Sequence, residues 1–308
     1  MILSRAPWIG PALVGLAAIL WSTDALVRVP AIDSVSPTFI VFSEHLLAVL
    51  CLLPWVLSKH HQRWLRLDRA EWLSAAFVGI GGSAAATVMF TQSFRYVNPS
   101  VAILLQKLQP VIVVALAFAF LGERPRRGFY PWAGLALVCG LLLSFPGLDF
   151  AFLSNAEDLH ARGVFFSLGA AALWAVSTVV GKRLLKRQPP SVATFWRFVF
   201  GLVALGLFEA FVAGDVTTSF TRAWGYTPIF LALLYMAIVP GLVAMVAYYA
   251  GLERTPASVS TIVELLFPIG AVILNTLFLD TPLDTTQVLA GVGLLFAVTM
   301  ISVPPRKR

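Results

Sequence analysis

Six ionisable side chains stand inside long apolar stretches of this sequence: Asp24, Glu44, Lys107, Arg197, Glu209 and Glu264. A charge surrounded by hydrocarbon is costly unless it is paired or solvated, so each marks a structural ion pair or a place where a solute or ion is handled. Asp24 and Glu209 lie near the ends of their stretches and read as interfacial. Glu44 and Lys107 in the first half, and Arg197 and Glu264 in the second, stand at matching depths with opposite signs. Two ion pairs are therefore expected, Glu44 with Lys107 and Arg197 with Glu264, acting as gates or, in the plainer reading, as fixed packing contacts.

Around these charges the sequence places residues that suit an amphipathic solute. Gln106, Gln109 and Pro110 are spaced by three and four, so they share a helix face where the proline frees a backbone carbonyl. Ser260, Thr261, Glu264 and Pro268 repeat the theme. Trp21, Trp174 and Tyr248, with Phe90 beside Met89 and with Tyr249, offer flat apolar surface at the same depth. The expected substrate-binding set is Trp21, Gln106, Lys107, Gln109, Trp174, Tyr248 and Glu264: aromatics for a side chain, polar groups for a charged end. The same polar groups would equally serve as bridges between helices.

No pattern points to catalysis. Nucleotide-binding, zinc-protease and nucleophile-elbow motifs are missing, and His45 is the one histidine within an apolar run. The glycines of Gly79-Ile80-Gly81-Gly82 superficially resemble a dinucleotide fingerprint but sit inside an apolar helix, where close packing explains them. Cys51 and Cys139 also fall within apolar runs and form no disulfide framework. No enzyme activity, catalytic residue, metal or cofactor is expected. The expected partners are a small-molecule substrate and the lipid bilayer, with no nucleic acid and no obligate protein partner.

The elements that must position these residues follow from composition. Of 308 residues, 59% are hydrophobic and 12% charged, about half the charged share of a soluble domain. The apolar residues fall into ten runs: 8 to 27, 38 to 58, 72 to 94, 99 to 121, 128 to 147, 163 to 181, 192 to 213, 228 to 250, 256 to 279 and 286 to 303. Most are long enough to cross a hydrocarbon core of roughly 30 Å as helix. Trp8, Trp55, Trp64, Trp72 and Trp132 stand near run ends, as interfacial anchors do. The first run lacks a convincing cleavage site and is read as a retained helix.

If the helices alternate, 16 of the 22 Lys and Arg fall on one side. They are Arg5; Lys59, Arg63, Arg66 and Arg69; Arg124, Arg126 and Arg127; Lys182, Arg183, Lys186 and Arg187; Arg254; and Arg306, Lys307 and Arg308. Arg28, Arg95, Arg162 and Arg222 fall on the other. Such a bias puts both termini in the cytoplasm, and it makes the net charge of +7 a topology signal rather than a nucleic-acid footprint.

The chain also repeats itself. An offset of 153 aligns Ala17, Ala18, Leu20 and Trp21 with Ala170, Ala171, Leu173 and Trp174, and Pro37 and Phe42 with Pro190 and Phe195. An offset of 158 aligns Ser100, Pro110 and Phe120 with Ser258, Pro268 and Phe278. With five helices per repeat, the second copy enters the membrane from the opposite side, the arrangement of many secondary transporters.

On the Arg95-Tyr96-Val97-Asn98-Pro99-Ser100 connection, Pro110, the Leu121-Gly122-Glu123-Arg124-Pro125 exit and Phe195-Trp196-Arg197-Phe198, the chain resembles the drug/metabolite transporter superfamily, specifically ten-helix exporters with two EamA-type repeats. It departs at Leu279-Asp280-Thr281-Pro282, which lacks the glutamate, and carries Glu44 where the second half has Arg197. The resemblance implies a central cavity formed mainly by helices one, three, four, six, eight and nine, and export of amino acids or other small metabolites.

The expectation is thus an all-α polytopic membrane protein of the bacterial inner membrane, with ten transmembrane helices as two inverted five-helix repeats, 1–150 and 151–308, around a central cavity. It would export small metabolites, with amino acids, including aromatic and other hydrophobic ones, as the preferred class, by alternating access. A drug or phosphorylated-metabolite carrier would need several convergent basic groups at mid-depth, where only Lys107 and Arg197 are expected. A membrane-embedded enzyme would need clustered catalytic groups.

Overall fold

A computed structural model describes residues 8–60, 65–109, 111–112, 115, 128–144, 159–185, 188–213, 216–252, 254–255 and 263–302. These residues form helices joined by short turns, with no strand among them. Helix α1 runs Ile9–Ser22 and continues past Thr23 as Asp24–Ile32; α2 is Pro37–His60. Helix α3 begins as Arg69–Phe77, widens into a π-helical segment at Val78–Ala85 and ends as Ala86–Ser93. Helix α4, Pro99–Leu105, tightens into a 3-10 turn at Gln106–Leu108. Then come α5, Phe129–Ser144, and α6, Leu159–Leu185. Helix α7 is Pro190–Phe208 with a π turn at Glu209–Ala213. Helix α8 runs Thr227–Met236, Ala237–Val243 as a second π segment, and Ala244–Leu252. Helices α9, Leu266–Phe278, and α10, Thr285–Ser302, complete the fold.

Helices α1, α2, α3, α6, α7 and α8 are long and apolar enough to cross a membrane; α4, α5, α9 and α10 coincide with shorter apolar helices. Backbone groups in lipid must be satisfied within the segment, which is why apolar runs of this length become helices. Their starts are written locally. Asp68 and Glu71 form a reciprocal capping box on α3, Asn98 caps α4, and proline occupies the first turn of α4, α7 and α8.

One expectation changes here and one element is added. The first apolar run extends to Ile32, so Arg28 lies inside a helix rather than in an outer loop. A short helix, Val216–Gly225, precedes α8; its Phe220 packs edge-on against Phe39, and Trp224 Nε1 donates to Ser43 Oγ at 3.2 Å.

The helices pack across the halves of the chain. Helix α1 lies on α8 and α9, as α6 lies on α3 and α4; α2 packs on α8, as α7 packs on α3; and α2 with α7, α4 with α9, and α5 with α10 pair directly. Each contact has its counterpart when a helix is exchanged for the one five places away. Two glycines of the first π segment, Gly79 and Gly82, serve the close approach expected of them, and Gly81 is not closely approached. A methyl group at Gly79 would stand 2.7 Å from the Arg197 carbonyl, and one at Gly82 would collide with the Ser177 hydroxyl. Met89, expected at the cavity, instead packs against Gly169.

Candidate functional site

A cavity of about 440 Å³ lies between the halves, lined by residues of α1 to α4 and α6 to α9. This volume falls in the range of small-molecule sites. All of Trp21, Glu44, Gln106, Lys107, Gln109, Trp174, Arg197, Tyr248 and Glu264 line it. Helices α2 and α7, absent from the six implied by resemblance, supply Glu44 and His45, and Arg197 and Phe198. Pro110, Ser260 and Thr261 lie outside the described residues, and Pro268 is buried in α9.

The expected ion pairs are not the ones formed. Glu44 closes on Arg28: Arg28 Nη2 donates to Glu44 Oε1 at 2.6 Å, and Arg28 Nε donates to Asp24 Oδ2 at 2.6 Å. A further bond runs from Nη1 to Thr91 Oγ1 at 3.0 Å. Arg28 is 5% exposed and Glu44 8%. Asp24 is therefore not an interfacial, solvated group but half of a carboxylate pair sharing one guanidinium, the planar fork that matches carboxylates two-pronged. Its i, i+4 spacing to Arg28 was the signal in the sequence; placing Arg28 in a loop concealed it.

Lys107 and Arg197 have other neighbours. The Lys107 ammonium sits over the Phe267 ring, 5.1 Å from its centre, a cation–π arrangement. Glu264 accepts from the Tyr248 hydroxyl at 2.9 Å rather than meeting Arg197. Arg197 Nη2 donates to the Gly82 carbonyl in the first π segment at 3.3 Å, and its Nε is buried without a partner. In the second π segment the Pro240 carbonyl likewise accepts from a cross-half side chain, Trp21 Nε1 at 3.0 Å. Glu209, expected at the interface, is 2% exposed, and neither carboxyl oxygen has a hydrogen-bond partner among the described residues.

His45 stands between the two arginine-bearing regions. Its Nδ1 donates to the Val41 carbonyl at 2.7 Å, and Nε2 lies 2.9 Å from Ser83 Oγ. Gln106 Nε2 and Ser177 Oγ, on cavity-lining residues, are also buried without partners among the described residues. Flat apolar surface comes from Trp21, 5.2 Å from Tyr248, and from Trp174, 5.5 Å from Phe90. The cavity's basic groups, Arg28, Lys107 and Arg197, equal in number its acidic ones, Asp24, Glu44 and Glu264. The balance suits a solute of little or no net charge, but the charges are unevenly satisfied. Among the described residues no cluster of three metal-ligating side chains occurs.

Comparison with known proteins agrees with this architecture. The model of the EamA-like transporter family matches residues 8–145 and again 161–303. Riboflavin transporter ImpX of Fusobacterium nucleatum subsp. nucleatum is 29% identical over 298 residues, covering 95% of this chain and 97% of that protein. The uncharacterized transporter YwfM of Bacillus subtilis is 26% identical over 302 residues, covering 95% and 93%. One solved crystal structure superposes with a TM-score of 0.65 at 19% identity, covering 94% of this chain and 95% of its own, a likeness of fold. The chain belongs to the EamA-like transporter family, within the drug/metabolite transporter superfamily.

Proposed function

We propose that this multi-pass membrane transporter crosses the bacterial inner membrane ten times as two inverted five-helix repeats, 1–150 and 151–308, and exports a small amphipathic metabolite by alternating access. The observation that carries the reading is a single cavity to which both halves contribute matched helices, with the two π segments facing it. π segments break regular helix bonding and recur at functional sites, and exchange between two like halves is the usual way such a cavity opens alternately. With Arg28 moved inside a helix, Arg95, Arg162 and Arg222 remain on the outer side against 16 basic residues on the inner, which supports cytoplasmic termini.

Aromatic amino acids are the favoured substrates. Trp21, Tyr248 and Trp174 would hold the ring, and the glutamines, Lys107 and Glu264 the charged end. A second reading has one specific support: ImpX, similar over nearly its full length, is named a riboflavin transporter, and a flavin also presents a flat ring. A phosphorylated solute is less well served, because Arg28 is already engaged by two carboxylates.

Counterflow in proteoliposomes tests the reading with labelled tryptophan, phenylalanine and riboflavin, with and without a pH gradient. Saturable movement of at least one is expected. Trp174→Ala should change the preference among them more than Trp132→Ala, whose ring packs on Phe296 of α10. Failure of every probe, or equal effects of the two substitutions at equal abundance, would count against it.

A further inference from the structure

The offset of 153 that matches Trp21 to Trp174 also matches Asp24 to Ser177, Arg28 to Gly181 and Glu44 to Arg197, and all six residues line the one cavity. In the first half the set is closed, because a guanidinium fills the space between two carboxylates and bonds to both. In the second half the same three places hold a hydroxyl, no side chain and a guanidinium. Among the described residues nothing fills the middle place: a Cβ on Gly181 would meet only Val78 Cγ2, at 3.9 Å.

We propose that Arg197 and Ser177, around the open position at Gly181, form the seat for a carboxylate of the transported solute, so that the substrate is a zwitterion rather than a molecule without a carboxylate. This rests on the transporter reading above. Three observations converge on it. Among the described residues no carboxylate pairs with Arg197, whose recorded bond is the long one to Gly82 and whose Nε is unpartnered. Ser177, 7% exposed, has a hydroxyl with no partner among the described residues. Both side chains come together at Gly82, where the Arg197 Nη2 bond ends and where any side chain would strike Ser177 Oγ.

A guanidinium at membrane depth calls for an anion, and its fork matches a carboxylate through two parallel bonds. Of the other cavity cations, Arg28 is engaged by its two carboxylates, and Lys107 lies over the Phe267 ring with Glu264 as a charged neighbour, placed for the other polar end of the solute. The vacancy in the second half thus mirrors the filled place in the first with the charges reversed: there the protein supplies a cation between two anions, and here the solute supplies an anion beside a cation.

The test is proteoliposome counterflow with phenylalanine, phenylalaninamide and riboflavin, on wild type, Arg197→Gln, Arg197→Lys, Ser177→Ala and Gly181→Leu, each at measured membrane abundance. Wild type is expected to move phenylalanine at least about tenfold better than the amide, since sites built to bond a polar group reject analogues lacking it. Arg197→Gln and Gly181→Leu should bring that ratio near one while leaving some movement of the amide. Ser177→Ala and Arg197→Lys should lower it severalfold. If Arg197→Gln fails to reach the membrane, Gly181→Leu and Ser177→Ala decide. An unchanged acid-to-amide ratio in these variants overturns the seat, as does movement of riboflavin with no movement of phenylalanine, and both outcomes leave the transporter reading standing. No movement of any probe overturns the transporter reading and the seat with it.

Discussion

Asp24, Arg28 and Glu44 in the first half of the chain, and Ser177, Gly181 and Arg197 in the second, occupy matched positions around one cavity; the first set pairs its charges internally, and in the second Arg197 Nε and Ser177 Oγ have no partner among the described residues. A chain made of two related halves has two copies of every cavity position, and only one copy is needed to hold the helices together. The other is free to stay open towards a ligand. Similar charge content in two halves therefore says little about similar duty; what separates a lock from a seat is whether the partners are already inside the protein.

The largest expected effect bears directly on that contrast. Arg28→Leu leaves the buried Glu44 carboxylate facing the part-buried Asp24, and breaking a buried pair from one side typically costs about 3 to 5 kcal/mol. Membrane abundance and the thermal midpoint in detergent should fall sharply. Arg197→Leu should leave both nearly unchanged, because it removes a charge with no carboxylate partner among the described residues. Equal losses would erase the distinction between the two regions.

Next in size is a charge exchange. Arg28→Glu combined with Glu44→Arg should recover part of the abundance lost by either change alone, whereas Glu44→Lys combined with Lys107→Glu should recover none. Rescue by the second combination and not the first would return Glu44 to the partner that depth alone had suggested.

A smaller effect separates filled space from open space on the facing helices. Gly79→Ala forces a methyl group against the backbone of α7 and should cost about 1 to 3 kcal/mol by overpacking. Gly181→Ala meets open space and should be neutral or stabilising by up to about 1 kcal/mol, the gain of alanine over glycine in a helix. Thermal unfolding in detergent distinguishes them, and a loss at Gly181 like that at Gly79 would mean the place is not vacant.

The smallest concerns the cross-half bonds to the π segments. Trp21→Phe removes the donor to the Pro240 carbonyl and should lower stability by about 1 kcal/mol, with the ring contact to Tyr248 kept. A loss much above that would give Trp21 a structural weight that one hydrogen bond does not explain.

Much of this was legible in the sequence. Hydropathy located a helix within each apolar run, and the seven residues expected to bind substrate line the cavity while Met89 does not. Depth along a helix is fixed by counting residues at 1.5 Å each, but the direction a side chain faces is not. The 153-residue offset already contained the match of Glu44 to Arg197. What could not be read was partnership. Depth says how far down a side chain sits but not which neighbour it faces, and Lys107 and Arg28 were both plausible in depth for Glu44 once α1 is known to run to Ile32. The π segments were equally hidden, since Val78–Ala85 is apolar and glycine-rich whichever bond pattern it adopts.

The sequence by itself determined that this chain is a bundle of apolar helices in two related halves, with its charges spaced for a site inside. That follows from local physics: backbone groups must be satisfied within each apolar segment, and the apolar pattern leaves the helix as the solution. Only the tertiary structure decided which of those charges are spent on one another and which remain available. Pairing depends on the rotation of each helix about its axis and on which helices touch, and both are settled by side chains meeting across the bundle, as when Gly79 lets α7 approach α3 and carries Arg197 to the Gly82 carbonyl.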